Sequence, residues 1–83
     1  MNSFIGTWQD QNNANITITG SQNFLTVTYN NGRGPFQGFE IDLTSPVIDV
    51  NFTDDAPFVG VLGVNNGQTQ IFWINATVWT KIK

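Results

Sequence analysis

The chain has 83 residues, no cysteine, no histidine, and six acids against three bases for a net charge of −3. This composition excludes a disulfide staple, a thiolate or imidazole metal site and the commonest general base, and it leaves too few cations for counterion-release binding to nucleic acid. One domain spanning residues 1–83 is predicted; at this size it buries only about 60–65% of its unfolded surface, so association between copies is the stabilising device left.

Only 11% of the residues are charged, and Asn, Gln, Thr and Ser fill the polar positions. Such a surface suits neutral, hydroxyl-rich partners. No apolar run approaches the roughly 20 residues of a membrane span, and "MNSFIGTW" has neither a charged n-region nor an apolar h-region. The sequence therefore predicts a soluble chain with no membrane partner and no signal peptide.

Apolar residues alternate instead of recurring at helical spacing, and Gly, Pro, Asn, Asp and Ser clusters punctuate them. The first predicted strand, residues 4–10, carries Trp8; the polar link "DQNNA" follows. Residues 15–19 place Ile16 and Ile18 on one face and Thr17 on the other, and residues 24–30 do the same with Leu25, Val27 and Tyr29 against Thr26 and Thr28. After "NNGRGP", residues 36–43 are read with Phe39, Ile41 and Leu43 inward and Glu40 and Asp42 in water. Residues 47–53 place Ile48, Val50 and Phe52 inward. The link "TDDAP" leads into residues 58–64, where Phe58, Leu62 and Val64 share one face and Val59 and Val61 the other. A strand apolar on both faces is covered on both sides, most economically by another copy of the chain. Residues 69–75 and 77–83, joined by "NAT", contribute Trp73 and Trp79.

Links of about two to five residues force antiparallel neighbours, because parallel crossovers need a dozen or more. The fold class predicted is all-β: a small eight-stranded antiparallel up-and-down meander barrel, closed so that no sheet edge remains. A two-sheet β-sandwich is the alternative. A meander gathers the first, third, fifth and seventh links at one end, and with them the polar and aromatic residues. Two of the strands that leave this end open on Pro-Phe-x-Gly, at Pro35 and Pro57, where a missing N–H does least harm and Gly38 and Gly60 relieve crowding.

That end carries the candidate ligand-binding residues. Trp8, Trp73 and Trp79 form an aromatic platform for the apolar face of a sugar ring, while Asp10, Asn12, Asn31, Arg33, Asp54 and Asp55 supply planar hydrogen-bonding arms for its hydroxyls. An ion pair between Arg33 and Asp54 or Asp55 on neighbouring tips is the competing structural reading, and core packing is the competing reading for the tryptophans. Catalysis is not predicted: acid–base work would fall to Asp10, Glu40, Asp54 or Asp55, and adjacent carboxylates on an extended chain point opposite ways. No loop has the ligand spacing of an EF-hand; neither metal nor cofactor is predicted.

The stretch "FIGTWQDQNNANITITGSQNFLTVTY" resembles the first hairpins of the avidin and streptavidin family, with a Gly-Thr-Trp opening, a polar loop and alternating Thr/Val strands. The resemblance covers about a third of the chain. It implies a meandering eight-strand barrel and a taste for tetramers. Where that family offers an Asn and a Ser to biotin, this chain has Asp10 and Ala14, so biotin is not among the implications. The function predicted is that of a lectin-like carbohydrate-binding protein, multivalent through homo-oligomerisation across Val59 and Val61, with a neutral saccharide or glycan as partner. The alternative is a homo-oligomeric assembly or protein-interaction module with no small ligand.

Overall fold

The computed structural model describes residues 3–83. Eight strands follow in chain order: β1 (Gly6–Gln9), β2 (Asn15–Ser21), β3 (Phe24–Tyr29), β4 (Phe36–Ile41), β5 (Val47–Asn51), β6 (Pro57–Asn65), β7 (Gln68–Trp73) and β8 (Val78–Lys81). Each pairs antiparallel with the next, and β8 returns to β1, with Trp8 opposite Lys81 and Gln9 opposite Thr80. The sheet is a closed up-and-down barrel, not a sandwich, and no helix occurs among the described residues.

Local chemistry explains the meander. Between β6 and β7 the turn is Asn66-Gly67, both at positive φ (53° and 77°), with Asn65 opposite Gln68; Asn-Gly is the favoured pair for the type I′ turn, whose twist matches that of the strands it joins. β-branched alternation then sets the faces. Ile16, Ile18, Val27, Ile48, Val50 and Ile71 are fully buried, each contributing about 1.5–3 kcal/mol of apolar transfer free energy.

β4 corrects the sequence reading. Phe36 and Glu40 are buried, at 3% and 5% exposed, whereas Phe39, Ile41 and Leu43 are exposed at 45%, 42% and 59%. Phe36 and Phe39 lie three residues apart and must point to opposite faces of a strand. Phe36 takes the inside because it joins a ring cluster, 5.2 Å from Phe52. Gly38 beneath it fits only without a side chain, since a Cβ there would lie 2.8 Å from Val50 Cγ2. The same parity carries Glu40 inward near the other end of the barrel. Burial first, and the neighbouring Asp42 carboxylate second, push its pKa above the ordinary value.

The second Pro-Phe-x-Gly segment repeats the device. A Cβ on Gly60 would stand 2.6 Å from Ile71 Cγ2 and 3.0 Å from the Trp73 ring, so the glycine makes the space into which the indole packs. Register runs without a break through both segments, and no bulge is formed.

With β4 reversed, the outer wall divides into two halves. The β2–β3 side presents Thr17, Thr19, Thr26 and Thr28. On the other side, Ile41, Val47, Val61, Phe72 and Val78 stand directly opposite one another in a row across five strands. A second row runs Phe24, Phe39, Asp49, Val59 and continues to Ile74, whose N–H donates to the Val59 carbonyl.

Candidate functional site

Three of the four links at one end are folded by their own side chains, and the fourth, between β5 and β6, is closed by the Asp55 N–H donating to the Phe52 carbonyl at 3.0 Å. Asp10 Oδ1 accepts from the backbone N–H of Asn12 and of Ala14, both at 2.9 Å. Asn31 Oδ1 accepts from Arg33 N–H at 3.0 Å and Asn75 Oδ1 from Thr77 N–H at 3.1 Å. These short polar side chains take over turn hydrogen bonds that the strands cannot supply. Gln11 Oε1 accepts from Val78 N–H at 3.2 Å, which ties the first link to the last.

Arg33 and Asp54 form the ion pair foreseen between neighbouring tips. It is bidentate, Nε to Oδ2 at 2.7 Å and a terminal nitrogen to Oδ1 at 2.9 Å, the fork geometry that makes Arg–carboxylate pairs directional. The guanidinium lies 4.3 Å from the centroid of the Tyr29 ring and 5.4 Å from that of Phe36. Hydrogen bonding to the guanidinium holds the Asp54 carboxyl below its usual range, and the same contact raises Arg33. Burial pushes the Tyr29 phenol up, with the nearby Arg33 charge opposing it.

Beneath the links lies a cluster of rings. Trp73 and Trp79 are 4.8 Å apart between centroids; Phe52 contacts both, at 5.6 and 6.3 Å, and Tyr29 meets Trp79 edge-on at 5.9 Å. Above this floor a cavity of about 180 Å³ is lined by Tyr29, Phe52, Phe58, Trp73 and Trp79 below and by Asp10, Asn12, Arg33, Asp55, Asn75 and Thr77 around the rim. It is smaller than the roughly 300–1,000 Å³ that holds a drug-sized molecule and suits one ring or a terminal group. Trp73 Nε1 is buried and makes no hydrogen bond among the described residues. An unmet buried donor costs about 1–3 kcal/mol; the atom has no exposed surface in this structure, so an acceptor oxygen recovers that cost only if the indole shifts toward the cavity.

Six of the nine residues singled out in the sequence line this cavity: Asp10, Asn12, Arg33, Asp55, Trp73 and Trp79. Asn31 and Asp54 stand beside it, occupied with the Arg33 backbone and guanidinium. Trp8 departs from the expectation. It is wholly buried, its Nε1–H donates to the Phe4 carbonyl at 2.8 Å, and the Lys81 ammonium sits 5.7 Å from its ring. Its indole leans toward the chain's start, away from the cavity, and among the described residues it makes no ring contact with Trp73 or Trp79. Trp73 and Trp79 are themselves only 5% and 2% exposed, so both serve as core as well as floor. Tyr29, Phe52, Phe58, Asn75 and Thr77 complete the lining; their signal was position, each lying next to a link at this end.

No protein-family model matches the chain, and no curated protein or solved structure matches it. The strand number and meander show the fold alone, and closed eight-strand barrels hold unrelated sites.

Proposed function

We propose that the chain is a lectin-like carbohydrate-binding protein whose site is the ring-floored cavity at the end formed by the four polar links. The observation that carries this reading is the cavity's construction. Aromatic side chains form its floor, while amide, hydroxyl, guanidinium and carboxylate groups converge at its rim. A sugar ring has that division, with apolar C–H faces and hydroxyls around its edge. A glycan array probed with the purified chain tests it. At least one saccharide class should bind, and Asp55→Ala should weaken that binding about tenfold while the thermal midpoint stays put, because the exposed Asp55 carboxylate makes no hydrogen bond or ion pair among the described residues. No binding across the array would remove the reading.

The outer wall supports the second half of the proposal, association of copies. Phe24, Phe39, Ile41, Val59, Val61, Phe72 and Ile74 are 38–76% exposed on one side of the barrel, and Asp49 is the one charge in their two rows. A closed barrel offers no strand edge to a partner, so such a face is covered by another surface of its own kind. Phe24, 74% exposed, forms one wall of a groove of about 310 Å³ lined also by Gln37, Phe39, Asp49 and Asn51. A two-fold axis would bring the same apolar face of two copies together. Association matters because shallow single sites gain avidity when several act together.

A further inference from the structure

We infer that the cavity selects a sugar carrying a protonated amine over its neutral counterpart, an inference that rests on the reading of this cavity as a saccharide site. Of the charged side chains at this end, Arg33 is neutralised by Asp54 through two hydrogen bonds. Asp10 and Asp55, both on the cavity's rim, have no cationic partner among the described residues. One oxygen of Asp10 holds two backbone N–H groups of its own link, which leaves the other oxygen for a ligand. The two remaining cationic side chains are elsewhere: Lys81 donates to the Ser3 carbonyl at 3.2 Å, and Lys83 lies beside β1, its carbonyl accepting from Thr7 N–H. The rim thus carries uncompensated negative charge above a floor of five aromatic rings.

Both features attract the same species. A carboxylate forms its strongest hydrogen bonds with a charged donor, and the face of an indole or phenol ring is the negative end of a quadrupole that draws a cation. A bare cation, however, leaves the buried Trp73 Nε1–H unanswered. That donor needs an acceptor oxygen, and a ring hydroxyl supplies one. An amino sugar with a free amine presents both groups on a single ring, which is the size the cavity allows.

Calorimetry of the intact chain with glucosamine, N-acetylglucosamine, glucose and choline tests the inference. Glucosamine is expected to bind about tenfold more tightly than glucose at low salt. N-acetylation, which removes the charge and keeps the ring, should abolish the advantage. The advantage should also shrink as salt screens the rim. Asp55→Asn should collapse the ratio of the glucosamine and glucose affinities, whatever it does to each alone. Equal binding of glucosamine and glucose overturns the charge preference and leaves the saccharide reading standing; choline binding more tightly than glucosamine overturns the hydroxyl requirement. If none of the four binds, this inference falls, and the array described above decides whether the saccharide reading falls with it.

Discussion

Arg33 shows how one side chain serves two purposes. Its guanidinium caps the Tyr29 ring and pairs with Asp54, so it holds two neighbouring links together while keeping its remaining donors at the cavity rim. Exposed pairs of this kind add little stability, and Arg33→Ala should lower the thermal midpoint by no more than a few degrees while weakening saccharide binding, measured by calorimetry beside a melting curve. Glu40 behaves oppositely to Asp54. Its folded pKa lies above the unfolded value, so protonation is favoured in the barrel. At pH below both values it carries no penalty, and stability is lost as pH rises through them. Asp54, held low, contributes stability above its unfolded pKa that is lost as pH falls through the folded one. Glu40→Gln should therefore flatten the decline in melting temperature between acid and neutral pH and leave the loss at lower pH in place. The Arg33 pairing was legible because the third and fifth links share an end, although the choice of Asp54 over Asp55 was not. Nothing in the local sequence marks Glu40 as buried.

At the level of elements, all eight strands and their directions were legible, since period-2 alternation and short links leave few other arrangements. The inward face of β4 was not, because Phe36 and Phe39 compete for the interior and only contacts with other strands decide between them. The Pro-Phe-x-Gly repeat is explained by the same contacts: Phe36 and Phe58 turn inward at the top of a strand, and Gly38 and Gly60 clear room one layer below. Gly60→Ala should force Ile71 and Trp73 to move, at a cost of about 1–3 kcal/mol in chemical denaturation. The link between β7 and β8 holds the opposite opportunity. Ala76 sits at φ 71°, a region that costs a residue with a Cβ roughly 1–2 kcal/mol, against about 0.4–1 kcal/mol of extra chain entropy that glycine loses on folding. Ala76→Gly should raise the melting temperature slightly, and a drop would mean that the turn is held by something other than its backbone angles.

At the scale of the whole molecule, the barrel has a polar cavity at one end and an apolar half-wall on its side, the first proposed for a saccharide and the second for another copy of the chain. Val59 and Val61 were visible in the sequence as a strand with no polar face, but the full extent of the wall depended on β4. Val61→Lys places a charge in the middle of the row that is apolar throughout. It should yield lighter species in sedimentation with the barrel's melting curve nearly unchanged at low concentration, and an unaltered mass would remove this face as the contact between copies. The most direct test of the central claim is the indole N–H spectrum during titration with the saccharide that the array identifies. The Trp73 Nε1–H resonance should move on binding as its free donor meets a hydroxyl oxygen, Trp79 should respond more weakly, and Trp8, already bonded to Phe4, should stay in place. A saturated ligand that leaves the Trp73 signal where it was, or that moves Trp8 alone, would contradict the placing of the site in this cavity.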